Sequence, residues 1–82
     1  MNLVAAKAFV LIETAVGKTK EVVASLSQLE GVKSVDTVTG PYDVIVIIEA
    51  KNLNEIGELV TGKIHPVAGI SRTVTCLAIH HA

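Results

Sequence analysis

The residues best suited to chemistry in this 82-residue chain stand together at Thr39-Gly40-Pro41-Tyr42-Asp43. Gly40 permits a close backbone approach, Pro41 stiffens a turn, Tyr42 offers a ring and a hydroxyl, and Asp43 sets a carboxylate at the mouth of an apolar strand. Such a turn can capture an α-amino acid: free backbone amides take the carboxylate, while Asp43 either takes the ammonium or braces the loop. The same five residues also suit a plain hairpin turn carrying a solvated acid.

Other candidates are weaker. His65 precedes Pro66 at a helix exit, and His80 and His81 sit at the C-terminus, so their spacing matches neither a helix-borne zinc site nor a paired-cysteine motif. They read as solvated groups. The single cysteine, Cys76, excludes an intrachain disulfide, fits a reducing cytoplasm and reads as a small core residue. Catalysis assembles a base, an electrophile and a sheltered pocket; Tyr42 and Asp43 have no third partner, so the reading is a binding module without metal or cofactor, not an enzyme.

Charge and hydropathy exclude further classes. The formal net charge is −1, with Arg72 and the lysines dispersed among acids, which leaves no basic stripe for nucleic acid. The N-terminal apolar run is broken by Lys7 and closed by Glu13, too short for a membrane span and without a signal-peptide cleavage pattern.

The elements that must hold the turn are written twice. Val10-Leu11-Ile12-Glu13 returns as Val46-Ile47-Ile48-Glu49, and Leu29-Glu30-Gly31-Val32 returns loosely as Val67-Ala68-Gly69-Ile70, at offsets of 36 and 38 residues. Residues 5–13 read as a strand, followed past Gly17 by a helix burying Val22, Val23, Leu26 and Leu29 and stopped by Gly31. A more polar strand runs from Val32 to Thr39. Gly40-Pro41 breaks it, and an apolar strand follows from Tyr42 to Ala50. Asn52 and Glu55 make a capping-box-like start to a second helix with Ile56, Leu59, Val60 and Ile64 on its inner face. His65-Pro66 and Gly69 close it before a last strand over residues 70–80, where Thr73, Thr75, Leu77 and Ile79 share one side.

Two split β-α-β units give one domain, residues 1–82, of the α+β class: a ferredoxin-like β-α-β-β-α-β fold with a four-stranded antiparallel sheet of order 4-1-3-2 and both helices on one face. The apolar first and third strands belong at the centre and the polar second and fourth at the edges.

That arrangement leaves an apolar sheet face uncovered. With the set ending in Glu13 and Glu49 outermost, Phe9, Leu11, Ile45 and Ile47, joined by Leu77 or Ile79, await a partner. At ~1.5–3 kcal/mol per buried side chain, five of them amount to on the order of 10 kcal/mol per subunit, comparable with the whole stability of a small domain. A sheet-to-sheet homodimer, closing as an α/β barrel, is the expectation.

The order strand, Gly-x-Tyr-Asp turn, apolar strand, helix, Pro-x-x-Gly-Ile and Thr-x-Thr resembles the effector domain of the leucine-responsive/asparagine (Lrp/AsnC) regulator family, the RAM domain (regulation of amino-acid metabolism). The resemblance spans residues 5–80 and rests on Val38, Gly40, Tyr42, Asp43, Gly69 and Thr75. It implies sheet-mediated dimers, rings such as octamers or decamers, and an amino-acid effector held at contacts between dimers. Gly40, Pro41, Tyr42 and Asp43 match the family's turn, and Thr73 and Thr75 fall near its threonines on the last strand.

Those regulators carry a helix-turn-helix domain ahead of this module, whereas only Met1 to Val4 precede the first strand here. The expectation is a cytoplasmic, stand-alone effector module that senses an amino acid itself or co-assembles with a full-length paralogue. Two rivals share the strand-helix order: an ACT-type amino-acid-binding domain, with ligand near Ala15-Val16-Gly17, and a small dimeric α/β-barrel enzyme of the cofactor-free monooxygenase or isomerase type, with a deep pocket between sheet and helices.

Overall fold

Alternate residues of the first strand disappear from solvent: Ala6, Ala8, Val10 and Ile12 are buried, while Lys7, Phe9 and Leu11 between them are half-exposed. The third strand repeats the pattern with Val44, Val46 and Ile48 against Ile45 and Ile47. This two-residue period, in a computed structural model that describes residues 6–79, fixes which side of the sheet meets the helices.

The elements are β1 (Ala6–Thr14), α1 (Thr19–Leu26), β2 (Val32–Thr37), β3 (Val44–Ala50), α2 (Leu53–Leu59) and β4 (Ile70–Leu77). The sheet is antiparallel with order β2-β3-β1-β4, so the two apolar strands are central as their composition requires. Val22 and Leu26 of α1, Ile56 of α2, and Val60 and Ile64 beyond it pack on the inner row of the sheet.

Several boundaries differ from the sequence expectation. β2 ends at Thr37 and β3 begins at Val44, because the Gly40-Pro41 break frees the residues on both sides of it. Leu29 lies in the turn past α1 yet still packs on the core. After Leu59 the chain widens into a π-helical turn, Val60–Ile64, in which the His65 amide donates to the Val60 carbonyl at 2.8 Å. β4 stops at Leu77; His80, the last residue expected for that strand, and His81 lie outside the described residues.

The duplicated glycines do equivalent jobs. Gly31 (φ 88°) and Gly69 (φ 98°) each leave a helical segment with positive φ. Each carbonyl then accepts an amide from the end of a central strand or just past it: Glu49 to Gly31 at 3.1 Å, Ala15 to Gly69 at 2.8 Å. Each also lies under a helix, where a Cβ on Gly31 would meet Leu59 Cδ2 at 2.9 Å and one on Gly69 would meet Val22 Cγ2 at 3.0 Å.

The outer face carries Phe9, Leu11, Ile45 and Ile47 as expected, but its fourth-strand members are different. Cys76 is paired with Phe9 and Val74 with Leu11, whereas Leu77 pairs with Ala8 and therefore lies on the helix side. Leu77 is thus corrected from the outer set, Ile79 lies past the end of β4, and Cys76 is not a core residue but an exposed thiol on the uncovered face. On β2, Ser34 and Asp36 complete that face opposite Ile47 and Ile45.

Candidate functional site

The Gly40–Asp43 turn joins β2 to β3 at the end of the sheet where β1 finishes. Gly40 has φ 139°, a backbone shape open to glycine, and a Cβ there would meet nothing within 4 Å. The turn is closed by the Val38 amide donating to the Asp43 carbonyl at 2.9 Å and tied to the central strand by the Asp43 amide donating to Ile12 O at 2.9 Å. Gly40 and Pro41 are exposed, while Tyr42 and Asp43 are half-buried.

The Asp43 carboxylate is a brace. Its Oδ2 accepts the Thr14 amide at 2.8 Å and the Thr14 hydroxyl at 3.3 Å, and that hydroxyl also lies 2.8 Å from Thr19 Oγ1 at the start of α1. The β1–β3 pairing ends at Ile12 and Val44, so the Thr14 amide two residues on takes a side-chain acceptor in place of a strand carbonyl. Thr14 and Thr19 were not singled out from the sequence, because nothing in their spacing foretells where the β1–β3 pairing ends. Both carboxylate bonds fall on Oδ2, so Oδ1 is the oxygen left for a further donor.

The two threonines stand apart from this turn. Thr73 and Val44 both pair with Ile12, so Thr73 lies two strand spacings, about 10 Å, from the first residue after Asp43. Its hydroxyl is 2.8 Å from Nε2 of the exposed His65, which gives that histidine a defined side-chain partner. Thr75 pairs with Val10 one row further on and borders a shallow apolar groove with Leu53, Ile56, Val60 and Leu77. Within one protomer the turn and the threonines therefore do not converge on one small ligand.

The regions named by the rival readings are an exposed turn and a filled layer. Ala15 and Lys18 close a tight turn at 3.0 Å, and Val16 at its tip is fully exposed. The layer between sheet and helices is filled by Val10, Ile12, Val22, Leu26, Val46 and Ile64, each at 0 % exposure. Among the described residues no group of His, Cys, Asp and Glu is placed to hold a metal, and no helix is long and apolar enough to cross a membrane.

Comparison with known proteins agrees with this fold. The family model for the Lrp/AsnC ligand binding domain matches residues 7–82. A segment of 59 residues is 35 % identical to an uncharacterised HTH-type transcriptional regulator of Pyrococcus furiosus, covering 72 % of this chain and 39 % of that protein. Another of 61 residues is 39 % identical to a homocitrate synthase of Sulfurisphaera tokodaii, covering 74 % of this chain but 13 % of the enzyme. The chain thus spans well under half the length of these curated relatives. Among solved structures, TTHA0845 from Thermus thermophilus superposes with a TM-score of 0.89 at 32 % identity, over 95 % of this chain and 98 % of that one.

Proposed function

Because the chain belongs to the Lrp/AsnC ligand-binding-domain family, we propose that it is an effector module that binds an amino acid and assembles through its uncovered sheet face. The observation that carries this reading is the braced turn. Gly40 and Pro41 present backbone at the surface, Tyr42 lies beside them, and Asp43 is fixed through Oδ2 so that Oδ1 is pre-set for an ammonium. The backbone amides of the exposed turn complement the carboxylate of the same ligand.

The separation of the turn from Thr73 and Thr75 supports an effector that bridges protomers, touching the Gly40–Asp43 turn of one and the β4 threonines of another. Assembly then belongs to binding. Phe9, Leu11, Ile45 and Ile47 form the sheet-to-sheet contact of a homodimer, and larger rings bring turns and β4 strands of different dimers together. In such an assembly the module passes its ligand state to a DNA-binding paralogue. The homocitrate synthase segment favours a second reading, in which a module of this kind serves an enzyme.

The test is a thermal-shift screen against the twenty amino acids, since a ligand that binds only the folded assembly raises its melting temperature. A hit that is lost in Asp43→Asn supports the site at the turn. Twenty silent amino acids, or a hit untouched by that substitution, overturn it.

A further inference from the structure

Two glycines of the second helical segment are not required by the fold. Gly57 in α2 and Gly62 in the π turn lack positive φ, and a Cβ at either would meet nothing within 4 Å. Glycine inside a helix is less stable than alanine, and nothing within the protomer offsets that cost. Both line an exposed groove of about 970 Å³ between α2 and the turn after α1, with Leu59 as an apolar wall and Glu30, Glu55 and Glu58 around it. Three carboxylates there face one cation, Lys63. Without side chains on the glycines a second surface can approach to backbone distance, and the carboxylates set the sign of the charge it must bring.

A surface of that kind stands on the same chain. Val16 is fully exposed at the tip of the tight turn from Ala15 to Lys18, and Lys18 and Lys20 beside it are exposed as well. Lys18 is the N-cap of α1, where its side chain makes no capping bond, and Lys20 follows in the first turn, so both cations oppose the helix dipole. Lys18 Nζ lies 3.8 Å from Glu21 Oε2, and the ion pairs among the described residues leave out Lys20, Glu30, Glu55 and Glu58. An apolar tip flanked by two cations complements an apolar-walled groove flanked by three carboxylates. Within one protomer the two do not meet: the turn precedes α1, Glu30 follows it, and Val16 touches nothing.

We propose that the α2 groove receives the Val16 turn of a second copy, with Val16 over Gly57 and Gly62 and with Lys18 and Lys20 against Glu30, Glu55 and Glu58. Turn and groove are different surfaces, so the contact is head-to-tail, and a chain of copies keeps one free turn and one free groove until it closes as a ring. The contact uses no residue of the Phe9, Leu11, Ile45 and Ile47 face or of the Gly40–Asp43 turn, so it does not depend on the sheet dimer or the effector site. It is small and its charges are exposed, so it forms at high protein concentration and weakens with salt.

Sedimentation velocity of the intact protein over a wide concentration range decides the matter. The parent's size should rise with concentration, and the association should weaken about tenfold between about 0.05 M and about 0.5 M sodium chloride. Lys18→Glu with Lys20→Glu, and separately Glu30→Lys with Glu58→Lys, should each abolish the rise while keeping the parent's circular dichroism. An equimolar mixture of these two proteins should regain it, because the reversed turn of one fits the reversed groove of the other and the two unaltered surfaces still match. Gly57→Gln fills the groove and favours the helix, so it should raise the melting temperature and abolish the larger species. A parent whose size does not rise, a mixture no larger than its components, or a Gly57→Gln protein that assembles as the parent does would each overturn the contact. At dilution, where this contact is absent, Ile45→Asp reads the sheet face alone, so either interface can fail without the other.

Discussion

Asp43 Oδ2 lies 2.8 Å from the Thr14 amide and 3.3 Å from the Thr14 hydroxyl, which makes the carboxylate part of the joint between β1 and β3. Removing it leaves a half-buried amide without its acceptor, and such a loss costs about 1–3 kcal/mol. Asp43→Ala should therefore lower the denaturant midpoint, whereas Asp43→Asn retains an acceptor oxygen and should lose about 1 kcal/mol or less. Urea unfolding of the two variants checks this, and equal stability of Asp43→Ala and the parent would refute the brace. Because Asp43→Asn keeps the joint but removes the charge, it isolates the contribution of the carboxylate to ligand binding.

The glycines separate backbone strain from crowding. Gly17, Gly31 and Gly69 all have positive φ, at 77°, 88° and 98°, so alanine at each carries a penalty of about 1–2 kcal/mol. Gly17 faces open space, whereas a Cβ at Gly31 or Gly69 would lie 2.9–3.0 Å from Leu59, Val22 or Lys18. Gly31→Ala and Gly69→Ala are expected to be clearly more destabilising than Gly17→Ala in equilibrium unfolding. The same loss at all three positions would mean that the contacts under the helices yield without penalty.

The start of α2 tests a shorter-range device. Asn52 Oδ1 accepts the Glu55 amide at 2.9 Å, and Glu55 Oε1 reaches back to the Lys51 amide at 3.1 Å, one residue before the position of the usual reciprocal bond. Asn52→Ala should cost about 1 kcal/mol, while Asn52→Asp, which retains the acceptor, should be neutral or slightly stabilising next to the helix N-terminus. Thermal unfolding of the two variants measures the difference.

What could be read in advance follows from which signals are local. The two-residue period of Ala8, Val10 and Ile12 and of Val44, Val46 and Ile48 identifies the central strands and the inner row, because burial on one face acts on every alternate residue. The glycine echo likewise rests on positive φ at two positions, each with an aliphatic residue two before it and one after it. By contrast, Cys76 and Leu77 change sides with a one-residue shift in strand pairing, and β4, an exposed edge with mixed polarity, carries no pattern that fixes its register. The Thr14–Asp43 brace depends on where the β1–β3 pairing ends and on a contact between residues 29 apart, and the His65–Thr73 bond on a π turn that inserts an extra residue before His65. None of these has a sequence signal of its own. The turn itself was legible because Gly40 and Pro41 are punctuation; the commitment of Asp43 to Thr14 was not.

The uncovered sheet face gives the sharpest contrast between two adjacent residues. Val46 is at 0 % exposure beneath the helices, and Ile45, one residue away, is half-exposed on the opposite side beside Leu11 and Asp36. Val46→Ala deletes core volume and should cost about 1.5–3 kcal/mol while leaving the oligomer intact. Ile45→Asp leaves the inner core untouched but places a charge opposite Asp36 in the proposed contact, so it should dissociate the dimer into folded protomers. Sedimentation velocity with far-ultraviolet circular dichroism separates the two outcomes. A parent protein that sediments as a monomer, or an Ile45→Asp variant that stays dimeric, would remove the sheet face from the assembly and leave its row of Phe9, Leu11, Ile45 and Ile47 without a role.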